Sequence, residues 1–219
     1  MEFSKQVSTR QSILTSKRGA IFDRNNLVLA EDIPSYEVGL SLKDFSFDPH
    51  HIDLLSSNLE INFERLKKRL ANKKAKYLVL KHKVTKQKKE YLQTLKIPGL
   101  VLGNRNFKRH YPQGEIFSQL IGLTNYKNEG VNGVEFALEE TLKSINGYQK
   151  NQYSRKQGVI KNEFLKKPID GLSVQLTVDS KLQFVLFNKL KKAVEFHDAE
   201  SASGIMIDLG TNEILAMTN

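Results

Sequence analysis

An α+β fold of hairpins and short helices is what this chain predicts, and three observations lead to it. Arg18 to Ala30 reads as strand, tight turn, strand. Residues 62–102 read as helix, strand, helix, strand, the order of a small α+β layer. Apolar residues are 39% and charged residues 26% of the 219, a globular balance with length enough for a core.

Composition narrows the chemistry. There is no cysteine, which excludes disulfides, thiolate metal sites and cysteine catalysis and fits an oxidising compartment. No run approaches the roughly 18 apolar residues of a membrane-spanning helix, and no signal peptide is visible. Met1-Glu2-Phe3 reads as a start codon with a cloning scar, so the chain is expected to be an excised piece. The net charge of +10 suits nucleic acid, anionic lipid or an acidic partner.

In order, residues 4–17 are polar and aperiodic, a lead-in or edge strand. In the hairpin, Ile21 and Phe22 are strand formers and Leu27, Val28 and Leu29 resume the apolar run. Asp23-Arg24-Asn25-Asn26 turns between them, Asn standing next to Gly in tolerance of positive φ. Ser35–Ser41 alternates as a half-buried strand, with Pro34 at its start. Asp48-Pro49 is a turn before a short helix over 50–59. Phe63, Leu66 and Leu70 have helical spacing, with Lys67, Lys68 and Arg69 on the other face. Tyr77–Leu80 is a strand. Thr85 caps a helix through Leu95 whose stripe is Tyr91, Leu92 and Leu95. Ile97-Pro98-Gly99 stops it and Leu100–Leu102 is the next strand.

Within Arg109-His110-Tyr111-Pro112-Gln113-Gly114, Pro112 and Gly114 make a turn, followed by a short helix across Phe117, Leu120 and Ile121. Gly130 and Gly133 permit a tight backbone approach before a helix striped by Val134, Ala137, Leu138 and Leu142. Glu135 falls in its first turn, held by the helix dipole or by a buried partner. Residues 148–165 form a hairpin or extended arm around Lys156-Gln157-Gly158. Lys166–Gly171 is the strongest domain boundary. Val174, Leu176 and Val178 alternate as a strand, and Asp179 N-caps a helix to about Phe196 along Leu182, Leu186, Leu190, Ala193 and Val194. Gly204–Asp208 and Glu213–Met217 form a hairpin, with Asn212 where Gly is usual.

Twelve of the 34 Lys and Arg residues lie between Arg65 and Lys89, with no Asp or Glu. Residues 65–89 could serve a nucleic-acid or anionic-surface module, or be a solvated Lys-rich face. No RNP1-like string, helix-turn-helix or interleaved aromatics favours nucleic acid, and Lys over Arg disfavours bidentate recognition. His50-His51 between Asp48 and Asp53 could hold a metal or simply line a solvated loop; no recognised metal or nucleotide motif occurs. No metal and no cofactor is expected.

Arg18-Gly19-Ala20-Ile21-Phe22-Asp23-Arg24-Asn25-Asn26, then Leu29-Ala30, resembles the R-G-x-I-x-D-R-N-G-x-x-L-A segment of class B penicillin-binding proteins, the peptidoglycan D,D-transpeptidases. Arg109-x-Tyr111-Pro112-x-Gly114 through Leu120-Ile121-Gly122, and Gly130-x-x-Gly133-x-Glu135, resemble two further segments. Leu176–Gln183 and Asp208–Met217 resemble the entry to the transpeptidase domain. Ile97-Pro98-Gly99-Leu100 and Ala199–Gly204 are most similar to the septal, cell-division branch of Gram-negative bacteria. Asn26 departs from the family's Gly and Gln119 from its His.

The family's catalytic set is S-x-x-K, S-x-N and K-T-G. No Ser here is followed three residues later by Lys, neither K-T-G nor K-S-G occurs, and S-x-N is expected to be lacking too, so these residues are expected to be inert, with no catalytic residue. The resemblance implies an elongated pedestal (dimerisation) domain over 18–170, a lead-in over 1–17 after a removed membrane anchor, and a truncated transpeptidase start over 171–219. It implies a parent at the periplasmic face of the inner membrane that crosslinks peptidoglycan through an acyl-serine. It also implies docking of division-complex proteins, including a polytopic glycosyltransferase. The matched Arg18, Gly19, Asp23, Arg24, Arg109, Tyr111, Pro112, Gly114, Gly130, Gly133 and Glu135 are then structural. Arg18 or Arg24 is expected to pair with Glu135, and the Ile205 and Ile214 strands are expected to leave edges or apolar surface uncovered.

Overall fold

The computed structural model describes residues 7–71, 75–154 and 158–219. The elements in chain order are β1 (Val7–Leu14), β2 (Ile21–Phe22), β3 (Val28–Ser41), α1 (Pro49–Leu59), α2 (Phe63–Leu70), β4 (Tyr77–Thr85), α3 (Lys86–Thr94) and β5 (Leu100–His110). They continue with α4 (Glu115–Ile121), α5 (Gly133–Ala137), α6 (Glu139–Leu142), β6 (Gly147–Ser154), β7 (Gly158–Lys166), β8 (Val174–Gln175), α7 (Ser180–His197), β9 (Gly204–Ile207) and β10 (Ile214–Thr218). The predicted mixed α+β class is the observed one. These elements fall into two compact units, one of the described residues up to Asp32 with Arg109–Asn219, the other Ile33–Lys108.

In the first unit the polar lead-in is an edge strand: β1 pairs antiparallel with β6, and β6 with β7. The Lys156-Gln157 part of the expected turn lies outside the described residues. The hairpin forms as β2 pairs with the start of β3, Ile21 opposite Ala30, across a turn where Asn26 takes φ 62°. Strand β8 joins β2 in parallel and is shorter than the expected Val174–Val178 strand. The Leu176 amide still donates to the Phe22 carbonyl at 2.9 Å. Ile21, Leu29, Ala30, Phe117, Ile121, Leu142 and Val178 make the core of this unit.

The helix expected after Gly133 is two short turns. Leu138, at φ −109° and ψ 25°, separates α5 from α6. Helix α7 starts where Asp179 accepts the Lys181 and Leu182 amides at 2.8 and 3.2 Å. Its expected stripe is only half-buried at Leu182, Leu186, Leu190 and Val194, Ala193 is exposed, and the one buried residue of the helix is Gln183. Asn212 takes φ 60° between β9 and β10, whose two-stranded sheet leaves Ile205 and Ile207 more than half exposed. That exposure is the one expected for these strands.

In the second unit β4 and β5 both pair with β3. Pro34 is not at a strand start as expected. It lies inside the long β3, between the residues that pair with β2 and those that pair with β4. Strand β4 runs five residues beyond Leu80 because a bulge near Lys83, at φ 57°, restores pairing after the charged Lys81-His82-Lys83 run. Asp48, Asn62 and Thr85 cap α1, α2 and α3 through the amides of His50, Arg65 and Lys88. Leu55, Leu59, Leu66 and Leu70 from α1 and α2 pack with Val38 and Leu40 of β3 and Leu92 of α3. Tyr91, expected on the apolar stripe of α3, is half exposed.

Candidate functional site

The matched segments meet inside the first unit, around the fully buried carboxylate of Glu135. Arg18 Nε donates to Glu135 Oε2 at 2.6 Å and Arg109 Nε to Oε1 at 2.7 Å, so each oxygen takes one guanidinium. Arg18 Nη2 also donates to the Glu135 main-chain carbonyl at 2.8 Å. The Tyr111 hydroxyl stands 3.4 Å from Oε1 and accepts the Thr124 amide at 3.1 Å. Burial, with the Glu135 charge adding to it, raises the Tyr111 pKa and keeps the phenol protonated.

A second buried carboxylate, Asp32 of β3, closes the cluster. Its Oδ2 accepts the Arg18 amide at 2.9 Å and the Asn128 side-chain amide at 3.0 Å, and Oδ1 lies 3.4 Å from Arg109 Nη1. Glu139 Oε2 meets Arg18 Nη1 at 2.6 Å and accepts the Gly130 amide at 2.9 Å. Among the described residues Arg109 Nη2 has no hydrogen-bond partner. Two guanidiniums thus neutralise two wholly buried carboxylates, with Glu139 at the rim.

Glycines let the backbone close on this cluster. A Cβ on Gly130 would sit 2.1 Å from the Glu135 carbonyl oxygen. Gly133 takes φ +60°, which L side chains rarely adopt, as α5 begins. Gly19 stands so close to Leu172 that a Cβ would lie 1.9 Å from that carbonyl oxygen. Pro112 and Gly114 form the expected turn, closed by the Gly114 amide on the Tyr111 carbonyl at 3.1 Å and leading into α4.

The far end of the hairpin holds α7. Asp23 Oδ1 accepts the Asn25 and Leu27 amides at 2.8 and 2.7 Å, and Oδ2 accepts the Ser180 hydroxyl at 2.7 Å and its amide at 3.2 Å. Burial alone would raise the Asp23 pKa, but these four donors outweigh it and the net shift is downward. Asp179 is also lowered, first by the Asn25 side-chain amide, which donates to it at 2.9 Å. Gln183 Nε2 donates to the carbonyls of Ile116 and Met217 while its Oε1 accepts the Met217 amide. Arg24 does not reach Glu135. It makes an exposed pair with Glu213 at 3.3 Å, so the expected bond from hairpin to α5 belongs to Arg18 alone.

Asp32, Asn128, Glu139 and Ser180 went unrecognised in the sequence. Asp32 did carry a signal, for it shares strand parity with the buried Ala30, and a carboxylate on an inward face requires a partner. The S-x-N spacing does occur, at Ser56-Ser57-Asn58 and Ser144-Ile145-Asn146. Both serines are structural, Ser56 donating to the Ile61 carbonyl at 2.7 Å and Ser144 to that of Ser16 at 3.3 Å. Asp48 is committed to capping α1 and His51 Nδ1 lies 3.1 Å from Ser46 Oγ. Among the described residues no group of three or more His, Asp and Glu is placed to hold a metal.

Residues 13–176 match the model of the penicillin-binding protein dimerisation domain. The chain belongs to that family. It is similar to the peptidoglycan D,D-transpeptidase FtsI of Escherichia coli K12, 31% identical over 222 residues that cover 97% of this chain and 37% of that protein. FtsI of Buchnera aphidicola subsp. Baizongia pistaciae is 32% identical over 219 residues, 97% of this chain and 38% of that one. The fold is similar to the crystal structure of penicillin-binding protein 2X from Streptococcus thermophilus, with a TM-score of 0.66, 25% identity, and cover of 95% of this chain and 35% of that chain. The chain therefore spans somewhat over a third of the length of these relatives. Three of the four matched segments, Arg18–Ala30, Arg109–Gly114 and Gly130–Glu135, supply members of one buried cluster.

Proposed function

We propose that these residues are the non-catalytic pedestal of a peptidoglycan D,D-transpeptidase of cell division. In this reading residues 18–170 form the pedestal and 171–219 begin the transpeptidase domain. A membrane anchor precedes residues 1–17, and the whole stands at the periplasmic face of the inner membrane, at the septum. The pedestal sets the height and orientation of the catalytic domain and docks division-complex proteins, a polytopic glycosyltransferase among them. The missing catalytic domain is what engages peptidoglycan.

One observation carries the reading. The family motifs converge on buried charges that pair with one another, and the Tyr111 hydroxyl beside them is held protonated, which is the arrangement of a clasp. Labelled penicillin tests it: no acylation of these 219 residues is expected. A labelled band on this chain would overturn the non-catalytic assignment. In the longer protein, Glu135→Gln is expected to leave penicillin acylation intact while septal growth fails, and loss of acylation with growth retained would contradict the pedestal role.

A further inference from the structure

The charge of the chain is not spread evenly. Ile33–Lys108 holds sixteen Lys and Arg against seven Asp and Glu, a net +9, whereas the remainder holds eighteen against seventeen. Part of this charge is already partnered. Lys81 and Lys88 reach Glu60 at 3.1 and 3.0 Å, Lys86 reaches Glu90, and Lys89 lies over the Tyr36 ring.

The same unit carries an apolar groove of about 510 Å³, walled by Leu42, Phe47, Leu70, Ala71 and Ala75, with Lys43 and Lys76 at its rim. The Leu42 amide donates to the Lys76 carbonyl at 3.0 Å, which ties the chain beside Lys43 to that of Lys76. The buried Phe45 ring holds Phe47 in an edge-on contact at 5.4 Å, leaving Phe47 56% exposed. The exposed Lys43 and Lys76 form no ion pair among the described residues.

We infer that this groove docks an acidic amphipathic segment of a partner protein, its apolar side chains seated between Leu42 and Leu70 and its carboxylates facing Lys43 and Lys76. Charge complementarity argues for the occupant, since a unit of net +9 steers and selects an anionic partner. Shape argues for peptide over membrane. A lipid surface takes up protruding apolar residues, whereas in this wall Leu70 is buried and Leu42 and Ala75 are half-buried, with Phe47 and Ala71 exposed, a concave arrangement that helix-in-groove recognition uses. Lysines without interleaved aromatics argue against nucleic acid. The inference rests on the docking role proposed above and gives that role a surface.

The test is fluorescence anisotropy of the whole chain with a labelled peptide of Glu and Leu, the leucines at i, i+3, i+4 and i+7. Binding is expected, and a Glu/Ser peptide and a Lys/Leu peptide are expected to fail. Ala71→Trp fills the mouth from an exposed position, and Lys43→Glu with Lys76→Glu reverses the rim. Each is expected to weaken binding about tenfold or more with an unchanged unfolding midpoint. Unchanged affinity in both variants, or equal binding of the Glu/Ser peptide, overturns the groove. Tighter binding of phosphatidylglycerol vesicles or of a random oligonucleotide overturns the choice of partner. None of these results bears on penicillin labelling, so failure of the groove and failure of the non-catalytic pedestal are told apart.

Discussion

At the scale of single residues, Asp23 and Arg24 are adjacent in sequence and opposite in consequence. Asp23 is buried with four donors, so its carboxylate is favoured in the folded chain and its pKa falls below the ordinary 3.8. A group held down in this way binds fewer protons folded than unfolded, so its contribution is complete above pH 3.8 and lost as pH drops through the lowered value. Asp179 works in the same direction. Asp23→Asn is therefore expected to lower stability at pH 7 by about 1–3 kcal/mol and to flatten the acid limb of a urea-midpoint profile; an unchanged acid limb would refute it. Arg24→Ala, by contrast, removes a pair more than a third exposed and is expected to cost less than about 1 kcal/mol by the same unfolding measurement. The sequence showed both residues as members of one motif and could not rank them. Charge type is legible in a string of residues, whereas burial and reach are set by which distant segment arrives. Arg18 and Glu135 stand 117 residues apart, and the matched motifs name both ends while leaving Arg18 and Arg24 open as the partner. No motif covered Asp32.

At the scale of elements, caps and periodicity were readable and packing was not. Thr85 and Asp179 each announce a helix by a side chain that accepts an orphan amide, and each helix starts there, while Asp48, read as a turn, and Asn62, not read as a cap, start α1 and α2 in the same way. The break at Leu138 was hidden, since the stripe from Val134 to Leu142 fits one continuous helix. The structure interrupts it at Leu138, and three residues earlier the Gly130 backbone stands against Glu135. Gly130→Ala should therefore shift that backbone and destabilise the first unit by about 1–3 kcal/mol, seen in thermal unfolding. Wild-type stability in that variant would mean the close approach is not needed. Gln183 is the matching surprise in α7. Its amide ties α7 to α4 and β10, so Gln183→Leu strands three half-buried main-chain groups of Ile116 and Met217. The expected cost is about 1–3 kcal/mol, with faster hydrogen exchange at the Met217 amide. Unaltered exchange there would show that the ties are dispensable.

At the scale of the whole molecule, segments near residues 18, 32, 109 and 135 enclose one neutralised set of charges, and the first unit depends on all four. This is the central claim, for a clasp without reactive groups is what the proposed pedestal role requires. Buried ion pairs gain little over apolar packing, yet removing one member leaves the others charged and without water. The second unit has its own core around Leu55, Leu59 and Leu66, and the cluster includes no residue from Ile33–Lys108. The most direct measurement is urea unfolding of Glu135→Ala beside the unaltered chain at pH 7, followed by a probe placed in the first unit. The account predicts a loss of about 3–5 kcal/mol, the cost of leaving Arg18 and Arg109 without their shared carboxylate. A loss below about 1 kcal/mol, the worth of a surface pair, would contradict it.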